Sequence, residues 1–143
     1  MSGPRLADIV RQQSLLLEDL LAGAAFEIVD EDPEVCTLRT SWVEVVLAYD
    51  WRDQWVTALL KPLTVPDDMT DSYPDHLWLK FCGIETGEHR KSALDERQVI
   101  DAFNLIRPIV ELFKGDRAAR DALWFVRGYS HAYTDWASGS WDR

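Results

Sequence analysis

His131 and Asp135 stand four residues apart, a spacing that puts an imidazole and a carboxylate on neighbouring turns of one helix face. Such a pair can serve as a general base held by its orienting acid. No nucleophile in the sequence completes that site, so the pair reads as a surface contact. His76 and His89 are scattered, one at the start of an expected strand and one in an expected loop. Asp67, Asp68, Asp71 and Asp75 fall within one short segment. Clustered carboxylates can hold Ca²⁺, which takes roughly six to eight oxygen ligands. This run lacks the glycine and the closing glutamate of an EF-hand loop, so no metal is expected. What remains is an anionic surface, since carboxylates accept paired hydrogen bonds from arginine. Asp30, Glu31, Asp32 and Glu34 offer the same chemistry. For both segments the alternative is an acidic loop that serves only solubility.

Other chemistry is missing from the pattern. There is no P-loop, dinucleotide GxGxxG, nucleophile elbow or HExxH. Cys36 and Cys82 lack a CxxC or histidine-rich context, so they read as two buried thiols and no zinc site. No cofactor is implied. Seven tryptophans are many for 143 residues. Trp51 and Trp55 flank an expected turn and are candidate anchors for a partner, because tryptophan is prominent in binding hot spots. Trp42 and Trp78 alternate with inward positions on expected strands. An aromatic-lined pocket is the competing use of these rings.

The elements that position these residues follow from periodicity. Leu6, Ile9, Val10, Leu16, Leu17, Leu20 and Leu21 form the stripe of one amphipathic helix that stops at Gly23. Phe26–Val29 is a short strand ended by Asp30-Glu31-Asp32 and Pro33, with 35–39 as its hairpin partner. Residues 42–51 alternate clearly: Val43, Val45, Leu47, Tyr49 and Trp51 share one face. Trp42, Glu44, Val46, Ala48 and Asp50 share the other, which mixes charge with bulk and is expected to be partly exposed. A polar turn leads to a strand over 55–60, stopped by Pro62. A fifth strand is expected over 76–82. From Leu94 the period becomes helical, with a kink or break at Pro108, and a last helix begins at Asp116. Its stripe is Ala119, Ala122, Leu123, Val126, Tyr129 and Tyr133. Residues 137–143 read as a loose tail. The sum is one α+β domain over 1–143: an N-terminal helix, a mostly antiparallel sheet of about five strands, and two C-terminal helices on one face.

Net charge is −10, from 15 basic and 25 acidic residues. Residues 25–75 hold 12 of those acids and only Arg39, Arg52 and Lys61 against them. That balance disfavours nucleic acid and anionic membrane as ligands, which need a Lys/Arg footprint. It favours a basic protein partner. No apolar run reaches the ~20 residues of a membrane span. No secretory signal is evident, and unpaired cysteines fit a reducing cytoplasm. Eleven arginines against four lysines suggest a GC-rich bacterial genome.

The acidic, tryptophan-rich α+β layout and the segment Trp-Val-Glu-Val-Val-Leu-Ala-Tyr-Asp-Trp-Arg-Asp at 42–53 resemble the small cytoplasmic immunity proteins of bacterial toxin systems. The resemblance implies stoichiometric blockade of a cognate toxin, with no chemistry of its own. The expected function is therefore non-catalytic binding of a basic protein through Asp30, Glu31, Asp32, Glu34, Trp51, Trp55, Asp67, Asp68, Asp71 and Asp75. The alternative is a small-molecule-binding or enzymatic domain with an aromatic-lined pocket.

Overall fold

The computed structural model describes residues 5–50, 52–65, 72–85 and 93–137, with side chains of the last helix described as far as Tyr129. Trp51, Asp67, Asp68, Asp71, His89 and the tail at 138–143 lie outside the described residues, as do the side chains of Tyr133, His131 and Asp135. The order is α1 (Leu6–Gln12), α2 (Ser14–Leu20), β1 (Glu27–Asp32), β2 (Val35–Arg39), β3 (Val43–Asp50), β4 (Trp55–Pro62), β5 (Tyr73–Pro74), α3 (Asp75–Phe81), α4 (Glu96–Leu112) and α5 (Asp116–Ala137). The fold is α+β. Its five strands form one antiparallel sheet in sequential order, β1-β2-β3-β4-β5.

Short connections make that order from β1 to β4, where each strand meets its successor at once. Alternation then sorts the side chains. Cys36 and Leu38 on β2, Val43, Val45, Leu47 and Tyr49 on β3, and Val56, Ala58 and Leu60 on β4 are all buried. They face α1, α3 and α4, whose buried side include Leu6, Val10, Trp78, Leu79, Val99, Phe103 and Ile106. α5 packs on α3 as an outer layer.

Four expectations are corrected. The N-terminal helix is two helices meeting at Gln13, whose ψ of 17° bends the chain; Leu15 and Leu16 become exposed there. Asp30, Glu31 and Asp32 do not end β1 but belong to it, whereas β4 does stop at Pro62, its last residue. Residues 75–81 are helix α3 instead of a strand. The helix closes with the two bonds of a Schellman motif, Gly83 N–H to Lys80 carbonyl at 3.1 Å and Ile84 N–H to Leu79 carbonyl at 3.0 Å. Gly83 at φ +72° supplies the left-handed turn. Pro108 does not break α4, which runs on to Leu112. Asn104 and Pro108 are both on its exposed side, so water can take the carbonyl that the proline leaves free. Asp95 caps α4, accepting from the Gln98 N–H at 2.9 Å.

Candidate binding face of the sheet

The sheet has two unlike faces. On the side away from the helices every described residue of β2, β3 and β4 is half-buried or exposed, and no described helix packs there. Pairing fixes which side chains share it. Asp30, Thr37, Val46, Leu59 and Pro74 stand in one row across all five strands. Asp32, Val35, Ala48 and Thr57 form the next row. Glu27, Arg39, Glu44 and Lys61 form a third, and Asp50 opposes Trp55 beyond the second. The centre is therefore built of small or branched side chains. The rim is charged, with carboxylates at Glu27, Asp30, Asp32, Glu44 and Asp50 against Arg39 and Lys61. Arg39 and Glu44 are joined at 2.7 Å, which neutralises one carboxylate and leaves the excess on β1 and Asp50.

A bulge makes the β1 contribution. The register shifts between Ile28 and Asp30, so Val29 is the extra residue and is 41% exposed. Without it Glu27 and Asp30 would lie on opposite faces; with it Glu27, Asp30 and Asp32 line up together. At the other end, the β3–β4 turn places Trp55. Asp50 Oδ1 accepts from the N–H groups of Arg52 and Asp53 at 2.8 and 3.2 Å. Gln54 follows with φ +55°. Trp55 is half-buried at the start of β4.

The sequence candidates divide on this map. Asp30, Asp32 and Trp55 share the open face. Glu31 turns to the helix side, where it is ion-paired with Arg11 of α1. Glu34 sits half-buried in the β1–β2 turn, its carbonyl accepting from the Tyr49 N–H at 2.9 Å. Asp75 is largely buried in the first turn of α3, next to β5, so it lies at the opposite edge of the sheet from Asp30 and Asp32. The described acidic residues of the two segments do not converge. Reasoning from sequence missed Glu27, Val35, Thr37 and Leu59 as parts of the face. The period-two pattern of β3 was the signal, and the register that extends it to β2 and β4 is set by the turns.

Several other candidates take structural roles. Trp78 is fully buried; its indole N–H lies 3.0 Å from the Tyr73 carbonyl and 3.2 Å from that of Leu60. Trp42 donates to the Val110 carbonyl at 2.9 Å. Cys36 is buried, and that burial pushes its thiol up to about 11, with the Glu31 carboxylate adding to the rise and Arg11 opposing it. Cys82 is only half-buried, contrary to expectation, and burial raises its thiol as well. A neutral thiol is a poor nucleophile. Among the described residues no group of three or more His, Cys, Asp or Glu could hold a metal ion. Among them, too, no helix is long and apolar enough to cross a membrane.

α5 presents a second exposed feature. Tyr129, expected in the core stripe, is 38% exposed, and Trp124 is 67% exposed. Phe125 lies between Phe81 at 5.4 Å and Tyr129 at 6.4 Å, with Lys80 Nζ 4.5 Å from the Tyr129 ring. Among the described residues α3 is the helix that packs closely on α5, so the apolar stripe outruns its described cover. A shallow groove of about 390 Å³ runs beside it, lined by His76, Leu77, Lys80, Ile84, Glu85 and Tyr129.

No known protein family matches the chain, and neither a curated protein nor a solved structure is found to be similar to it.

Proposed function

We propose that this chain is a non-catalytic binding protein of immunity type, which neutralises a basic protein partner, a toxin, in the bacterial cytoplasm. The observation that carries the reading is the open sheet face, which joins an apolar centre at Val46, Ala48 and Leu59 to Trp55 and to the carboxylates of Glu27, Asp30, Asp32 and Asp50. An interface of this kind buries its centre and keeps charge at the rim. The carboxylates would steer a cationic partner and select against acidic ones. The tryptophans favour this reading over a ligand pocket: Trp42 and Trp78 are committed to backbone carbonyls, and Trp124 is on the surface.

The test is capture of a stoichiometric partner from host lysate at low and at raised salt, with the Asp30→Lys/Asp32→Lys variant in parallel. The expected partner is basic, binds one to one, and is lost from the variant and at raised salt. Capture by the variant at undiminished yield overturns the reading, as does the absence of any partner at low salt.

A further inference from the structure

β1 is an edge strand. β2 pairs with one side of it, and among the described residues nothing pairs with the other. Such an edge presents a row of backbone donors and acceptors to any added strand. Two different surfaces flank it. On the open face stand Glu27, Asp30 and Asp32. On the helix side lies a groove of about 360 Å³, with Phe26 and Ile28 along it and Arg11, Ser14 and Glu18 at its wall. The side chains of an incoming strand alternate between two faces. One set would enter the groove and the other would meet the carboxylates.

We infer that β1 receives an extended segment of the basic partner as a sixth strand, with arginine or lysine on one face alternating with aliphatic residues on the other. This rests on the proposed function and specifies how that partner docks. The six residues of β1 span about 20 Å, which suits a segment of similar length. Its charge selects the occupant. Four of the six residues are acidic, so two copies of β1 would repel each other. A basic strand reverses that repulsion. Backbone pairing supplies affinity, and the alternating side chains supply specificity, as in other strand-addition complexes.

The experiment uses a capped eight-residue peptide of alternating arginine and valine, titrated into the full chain. Two controls share its composition: one with arginines and valines in separate blocks, and one N-methylated at alternate residues so that half its donors are gone. The alternating peptide is expected to bind and to slow amide exchange along β1. Both controls, and the Asp30→Asn/Asp32→Asn variant, are expected to bind about tenfold more weakly or worse. Circular dichroism confirms that the variant, altered at two exposed positions, is folded. Equal binding of the N-methylated peptide overturns strand addition yet leaves the basic-partner reading standing, since charge alone would then hold the peptide. Failure of the alternating peptide to bind overturns strand addition, while the capture experiment judges the parent reading separately.

Discussion

The side-chain amide of Gln98, in the first turn of α4, donates to the main-chain carbonyl of Gln54 at 2.9 Å. Gln98 is buried, and Gln54 occupies the turn that delivers Trp55 to the open face. A helix on one side of the sheet thereby holds a corner of the other side. Gln98→Leu removes the donor and leaves that carbonyl to find water. We expect a loss of about 1–2 kcal/mol in urea unfolding and faster amide exchange at 52–55. Unchanged exchange in the turn would show that it holds its shape without α4.

Gln54 itself is strained. Its φ of +55° is left-handed, which suits glycine and costs other residues about 1 kcal/mol. The Gln98 bond uses only the main chain of Gln54, so Gln54→Gly keeps it. The substitution should raise the urea midpoint, by an amount equivalent to about 0.5–1 kcal/mol less the added freedom of the unfolded chain. A lowered midpoint would mean that the Gln54 side chain contributes more than its strain costs.

The strands of this fold could be read from alternation because one face of the sheet is buried and the other is open. Val43, Val45, Leu47 and Tyr49 announce β3 for that reason. Residues 75–81 could not be read that way. Leu77, Trp78 and Leu79 are all buried, and a short run that is apolar on every side has no period to detect. The punctuation was the better guide: Asp75 in the first turn, Lys80 in the last and Gly83 just beyond are helix signals. Half of the binding face was likewise legible, through the mixed outer positions of β3. The alignment of Glu27 with Asp30 was not, because it depends on a bulge at Val29 that the local sequence does not mark.

The tryptophans should separate sharply under substitution. Trp78 is enclosed, its ring edge-on to Phe113 at 4.8 Å and its N–H on two carbonyls. Trp78→Ala should cost about 3–5 kcal/mol and leave much of the chain unfolded at room temperature. Trp124 is mostly in water, and Trp124→Ser should change stability by less than about 0.5 kcal/mol. Thermal melts of the two variants check both expectations. A large loss from Trp124→Ser would require α5 to be covered in solution, for example by self-association.

Pro108 offers a route to a more stable protein. It removes one bond from the middle of α4 without breaking the helix. Pro108→Ala restores an N–H opposite the Asn104 carbonyl and relieves the ring clash. Proline in a helix interior costs about 3 kcal/mol relative to alanine, part of which is returned by its stiffening of the unfolded chain. A gain of about 1–3 kcal/mol is expected in urea unfolding. No gain would mean that α4 and its neighbours are already fitted around the ring.

Cys36 makes stability depend on alkaline pH. Burial, assisted by Glu31, lifts its thiol from 9.0 to about 11 in the folded chain, so the folded state holds this proton where the unfolded state releases it. The unfolded state then binds fewer protons, and stability falls as pH rises through that window. The contribution is complete below about pH 9 and is lost progressively toward about pH 11. Its size is of the order of 3 kcal/mol, from about 1.4 kcal/mol per pH unit. Cys36→Ala cannot lose a proton, so its stability should decline less steeply than that of the natural chain over the same range. The comparison cancels every group that the two proteins share. Parallel declines would show that the Cys36 thiol reaches water before it ionises. Glu31→Gln should lower the upper end of the window and shrink the loss, because it removes the carboxylate that opposes the thiolate in the folded chain.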